Sequence, residues 1–413
     1  MVPRNWVISR RARIMSSRRS NLCAACWNIS STNDGSMIMR IPAMKMLVAG
    51  LSVALASAAV HADTVVKIGV AGPLTGSQAA SGKDNERGAR LAVDDLNAKH
   101  MTLNGQPLKF ELISVDDQSD PKAGVTVAQK LVDNGVLAVI GHWNSGVTIP
   151  ASKIYNDAKV IMITPAASNP ALTVPGYPYV FRLTTDDNVL GGKMADFAAN
   201  TLHLKRVAVI DDRTAYGAGV ADVFSNTAKK QGIEIIAREY ATDHTVDFKA
   251  VLSKVKLEKP QAIFYGGYYG QAAYLARQMR DLGINAVLMG GDGLCVGEFP
   301  KLADGALDKK MYCPQGGVPL AALPDGKRFE ARFKAAYGVD PDQKAPSFYA
   351  ATLMMGEAIA KAQSLSPEAL DKTLHQTTFN TLFGQVRFDQ RGEWIKAPMT
   401  VYRSAGGSIV PVE

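Results

Sequence analysis

The chain has 413 residues, 47% of them hydrophobic and 20% charged. That balance suits two globular domains with real cores and excludes a disordered or membrane-embedded chain. The formal charge of +8 is carried almost wholly by residues 1–62, which hold eight Lys/Arg and one Asp. The remainder is close to neutral and presents no basic face for nucleic acid.

Taken in chain order, residues 1–36 are Arg- and Ser-rich without periodicity and lie upstream of candidate starts at Met37, Met39 and Met44. They read as an over-extended start, with a longer signal region as the alternative. "MRIPAMK" then supplies a short cationic stretch, "MLVAGLSVALASAAV" an apolar run, and "VHA" a small-residue cleavage site. This is the grammar of a secretory signal peptide cut after Ala62. Cys23 and Cys26 form a C-x-x-C outside any βαβ context and carry no redox or zinc expectation. After cleavage Cys295 and Cys313 remain, an even count that predicts one disulfide in an oxidising compartment.

From Val65 onward, short β-branched runs alternate with longer helical stretches. "VVKIGVAG", "LKFELISVDD", "VLAVIGH" and "VIMITPA" read as strands, then "RVAVIDD", "GIEIIAREY", "QAIFYGGYYG" and "AVLMGGDG". Strands separated by one helix each predict βαβ units and parallel sheets. The alternation pauses near residues 179–187 and again near 311–320, and these pauses are read as hinge crossings. Late helices are expected at "GKRFEARFKAAYG" and "SFYAATLMMGEAIAKAQ".

Ligands of open parallel sheets bind beyond the carboxyl ends of strands, beside helix N-termini that favour anions. Ser145 follows "VIGHWN" and Ser168 follows "IMITPAA", giving one wall hydroxyls and N–H groups with no Lys or Arg. That pattern suits a carboxylate held by dipoles; simple helix capping is the competing account of both serines. Tyr216, Tyr268 and Tyr269, with Asp292 between glycines, end strands in the other half. An acid there can hold an ammonium by charge-assisted hydrogen bonds. Together the two sets describe a site for a free α-amino acid. No G-x-S-x-G, H-E-x-x-H or G-x-x-x-x-G-K-[ST] motif occurs, and no two His stand at i, i+4, so neither a catalytic set, a metal nor a cofactor is expected. His142 at a strand end reads as a loop-orienting residue.

"VIGHWNSGVTIPASKIYNDAKVIMITPAAS", "YGGYYG", "LMGGDG", "VDDQSDPKAG" and "FGQVRFDQRGEW" resemble the leucine/isoleucine/valine-binding proteins, periplasmic amino-acid receptors of ABC importers. The similarity covers residues 63–413. It implies an α/β type I periplasmic binding protein with two Rossmann-like lobes and three hinge crossings. On that template residues 63–185 form the first part of lobe 1, 186–314 lobe 2, 315–395 the second part of lobe 1, and 396–413 a return segment at the hinge. The resemblance assigns Ser145, Ala166 and Ser168 to the ligand carboxylate, Tyr216 to the second wall, Tyr268 and Asp292 to the ammonium, and Trp143 to the side chain. It further implies a monomer that delivers an amino acid, with Leu, Ile and Val as first candidates, to inner-membrane permease subunits. A receptor of the same fold for an amide, urea or aromatic acid, or one used in sensing, is the alternative. Departures are Asp292 where Glu is usual, Trp143 for a smaller aliphatic, and Ser81 for an aromatic. Ser119 and Asn144 replace a first-lobe disulfide, for which a Cys295–Cys313 bridge would substitute.

Overall fold

A computed structural model describes residues 63–412. The expected signal segment, the cleavage site expected after Ala62 and Cys23/Cys26 lie outside the described residues.

The first half of the chain runs β1 (Thr64–Gly72), α1 (Ala79–Ala98), β2 (Thr102–Leu103), β3 (Gln106–Asp116), α2 (Pro121–Asp133), β4 (Ala138–Gly141), α3 (Ser145–Asp157), β5 (Ile161–Thr164) and β6 (Val180–Arg182). These strands form one sheet in the order β2-β3-β1-β4-β5-β6, parallel except for the short β2–β3 hairpin. β4 and β5 are buried along their whole length, as a parallel sheet covered on both faces requires.

A second series follows: α4 (Asp187–Asn200), β7 (Arg206–Asp211), α5 (Ala215–Lys230), β8 (Glu234–Tyr240), α6 (Lys249–Leu257), β9 (Ala262–Gly266), α7 (Tyr269–Asp281), β10 (Val287–Gly290), α8 (Phe299–Leu302) and β11 (Met311–Gly316). The chain ends with α9 (Gly326–Tyr337), α10 (Ala345–Ala362), α11 (Pro367–Gln376), the hairpin β12 (Phe379–Thr381) and β13 (Gly384–Val386), then β14 (Met399–Ala405) and β15 (Ser408–Pro411). The second sheet has the order β15-β14-β11-β10-β9-β7-β8, with β14 and β15 antiparallel additions to a parallel core. α10 packs against α1, returning the late helices to the first sheet.

Both pauses in the sequence pattern contain strands. β6 is only three residues long and follows a 3-10 turn instead of a helix, so it leaves little periodic signal; it still pairs with β5. The crossing follows it, between Leu183, whose N–H still donates to Thr164 O of β5, and the start of α4 at Asp187. Likewise 311–316 is β11, and the chain crosses just beyond it. Three crossing segments lie side by side: Thr185 Oγ1 donates to Pro398 O at 2.9 Å, and Gly317 N donates to the same carbonyl at 2.7 Å.

Candidate ligand-binding site

Strand order reverses at β1 in the first sheet, which is flanked by β3 and β4, and at β7 in the second, flanked by β8 and β9. Loops diverge at such points and open a crevice at the carboxyl ends. The two crevices face each other across one cavity lined from both lobes, the usual place for a small-molecule site in this kind of fold.

On the first wall stand Trp143, Ser145, Ala166 and Ser168, all buried. The capping account of the serines does not hold. Asn144 is the cap residue of α3, and Asn169 caps the 3-10 turn Pro170–Leu172 by accepting from Ala171 N. Ser145 Oγ accepts instead from Asn169 N at 3.2 Å, and Ser168 Oγ points across the cavity to Asp292.

The second wall is Tyr216, Tyr268 and Asp292. Tyr268 immediately precedes α7, Tyr216 lies in the first turn of α5, and Asp292 opens a 3-10 turn after β10. Tyr216 OH donates to Asp292 Oδ1 at 3.0 Å while accepting from Gly293 N at 2.7 Å. This needs small neighbours: a Cβ on Gly291 would come within 2.4 Å of that hydroxyl. The Tyr268 ring packs tilted against both Trp143 and Tyr216, at centroid distances of 5.2 and 4.9 Å. Tyr269 packs edge-on to Trp143, behind this layer.

The two strand ends at Ser145 and Ser168 carry no Lys or Arg, but a lysine reaches the cavity from elsewhere in the chain. Lys344, just before α10, sends its ammonium into the cavity, 3.4 Å from Asp292 Oδ2 and 3.1 Å from Thr184 Oγ1. Burial lowers its pKa, and Asp292 opposes that shift. Behind Ser168 lies Asp187, fully buried, its carboxyl pushed well above the usual range by burial and then by the charge of Asp292. Arg182 is a second cation missing from the sequence reading. Its guanidinium donates to Ala167 O at 3.0 Å and Asn169 O at 2.9 Å, the carbonyls either side of Ser168, and pairs with Glu393 at 2.6 Å. It positions the loop and does not face the cavity.

Other contributors also escaped the sequence reading. Asp84 and Asn85 join Ser81 on the buried face of α1 and line the cavity, as does Gln315 at the end of β11. The signal was present in α1: positions 81, 84 and 85 continue the apolar stripe of 89, 92, 93 and 96 with polar residues. Asp84 Oδ2 accepts from Asp342 N at 3.0 Å, and burial together with the neighbouring Asp342 carboxylate pushes its pKa up to about 8.

Two expectations away from the cavity can be placed. His142 is fully buried between Asp117 Oδ2, 2.7 Å from Nδ1, and Tyr155 OH, 3.0 Å from Nε2, where it ties the loop after β3 to α3. Ser119 and Asn144 both donate to Gln78 Oε1, at 3.2 and 2.6 Å, a hydrogen-bonded link where the resemblance led us to look for a disulfide. Cys295 and Cys313 are bonded to each other in the second lobe.

Two parallel-sheet lobes, three adjacent crossings and a cavity between the lobes form the architecture of a small-molecule receptor. The chain belongs to the periplasmic binding protein family, whose model matches residues 65–408. It is 34% identical over 373 residues to the Leu/Ile/Val-binding protein BraC3 of Rhizobium johnstonii, covering 90% of this chain and 100% of that one. It is also 34% identical over 367 residues to the leucine-, isoleucine-, valine-, threonine- and alanine-binding protein of Pseudomonas aeruginosa, covering 87% and 95%. Among solved structures it is similar to the branched-chain amino acid transporter substrate-binding protein LivJ of Streptococcus pneumoniae in complex with isoleucine. That match has a TM-score of 0.76 and 28% identity, over 84% of this chain and 99% of the other.

Proposed function

We propose that this protein is the periplasmic substrate-binding component of an ABC importer, capturing a free α-amino acid between its lobes and presenting the closed form to inner-membrane permease subunits. It acts as a monomer, by binding without chemistry, after export and cleavage behind Ala62. The branched-chain amino acids bound by its relatives are the first candidates. The observation that carries the reading is the pairing of walls: the uncharged donors Ser145 and Ser168 face Asp292 and Tyr268 across one cavity. The ligand carboxylate meets the first wall beside the N-terminus of α3, and its ammonium meets the second. Contacts available only when the lobes meet make the ligand favour the closed population.

A second reading rests on Lys344. Its ammonium already lies against Asp292, so a carboxylic acid lacking an amino group could use Lys344 where an amino acid would use its own nitrogen. A thermal-shift screen of the twenty amino acids beside their deamino analogues tests both. A ligand at 100 times its dissociation constant adds about 2.7 kcal/mol of stability. Leucine shifting the midpoint while 4-methylpentanoate does not supports the first reading; the reverse supports the second and sinks the first.

A further inference from the structure

Resting on the amino-acid reading, we infer that the site selects an uncharged side chain that both donates and accepts hydrogen bonds, a carboxamide or a hydroxyl, over its aliphatic isostere. Once Ser145, Ala166 and Ser168 hold the carboxylate and Asp292 the ammonium, the rest of the cavity is left for the ligand's side chain. Its wall there comes from α1, the 342–344 loop and β11. Asn85 and Gln315 are both 3% exposed, and among the described residues Asn85 Nδ2 and Gln315 Oε1 have no hydrogen-bond partner. One is a donor and the other an acceptor, and both belong to cavity-lining residues. Ala166 and Val296 are the aliphatic side chains on the wall; its other members are aromatic, polar, charged, glycine or the bridged Cys295.

A leucine or valine side chain placed here would strip water from Asn85 and Gln315 and return nothing. Leaving such groups unpaired is the costly case, whereas a ligand that satisfies them recovers the loss. A site built to hydrogen-bond its ligand rejects the analogue without the polar group far more strongly than an apolar pocket rejects an added hydroxyl. Asp84 and Asp342 stand on the same wall and present carboxyl oxygens to a ligand with an N–H or O–H to offer.

Calorimetric titration of the mature protein with two near-isosteric pairs, threonine against valine and asparagine against leucine, reads the inference directly. The polar member of at least one pair should bind on the order of 10- to 100-fold more tightly. The double substitution Asn85→Leu/Gln315→Leu should shrink that ratio toward one, with circular dichroism checking that it folds. Binding in which valine and leucine equal or exceed their polar partners overturns this inference and leaves the amino-acid reading standing. No heat with any of the twenty amino acids overturns both.

Discussion

Replacing Lys344 by Met asks whether the cavity is built for an ammonium-bearing ligand. With Nζ 3.4 Å from Asp292 Oδ2, an effective dielectric constant of 20 gives an attraction of about 5 kcal/mol. A ligand ammonium on the same carboxylate would sit about 4–5 Å from Nζ, a repulsion of roughly 4 kcal/mol on the same scale. The lysine–carboxylate attraction is present before and after the ligand enters, so the repulsion is the term that binding adds. Lys344→Met should therefore tighten an amino-acid ligand on the order of 10-fold or more. It should also lower the thermal midpoint of the unliganded protein, because Asp292 is left buried without its partner. Calorimetry with the best ligand from the screen, run on both proteins, reads the sign. A ligand lacking an ammonium meets no such repulsion and would be held by the lysine, so a tenfold loss of affinity in the variant refutes the reasoning.

Asp292→Ala removes the acid from the second wall and should weaken amino-acid binding by about 3–5 kcal/mol; unchanged affinity by calorimetry would remove Asp292 from the site. Replacing Cys295 and Cys313 by Ser opens a bridge between residues 18 apart in sequence. Unfolding in urea should show a loss of roughly 3 kcal/mol, and a midpoint equal to the parent's would contradict it. Asp84 provides a pH signature. Its folded pKa is raised from 3.8 to about 8, so the folded chain holds the extra proton and stability falls as pH rises from about 4 to 8. Asp84→Asn keeps an acceptor for Asp342 N and should be more stable than the parent at pH 8, with the difference closing toward pH 4. Thermal scans that diverge in the opposite direction would show that the carboxyl is not buried as described.

Residues fixed by local pattern are the ones the sequence makes legible. Ser145, Ser168 and Asp292 each sit within four residues of a parallel strand's end, so finding the strand finds the residue. Tyr216 and Tyr268 follow β7 and β9 in the same way, at the point where strand order reverses. Lys344 has no such marker. It reaches the cavity because the chain crosses between lobes and α10 packs back on α1, a pairing about 250 residues apart that no short window encodes. Arg182 is hidden for the same reason. Within "YVFRLTT" it reads as one polar residue in a short strand, and its full burial depends on a counter-charge at Glu393, 211 residues away. The polar start of the α1 stripe was readable, since Asp84 and Asn85 occupy positions that the helical period turns inward.

The separation of the two walls also limits the kind of zwitterion that fits. Ser168 Oγ stands 3.5 Å from Asp292 Oδ1, and Asn169 Nδ2 donates across the lobes to Ala215 O at 2.6 Å. Donors for a carboxylate and the acceptor for an ammonium are therefore nearly in contact when the lobes meet. A ligand satisfies both only if its two charged groups leave the same carbon, which is the geometry of an α-amino acid and not of its longer ω-amino isomers. Asp in place of Glu at position 292 is consistent with this, because a shorter acid requires the lobes to approach more closely before it can reach the ligand. A molecule that touches one wall alone has equal affinity for open and closed forms and shifts neither. On the proposed reading, hinge closure and ligand selection share one physical origin: the same short span that rejects longer zwitterions makes binding energy available only to the closed lobes.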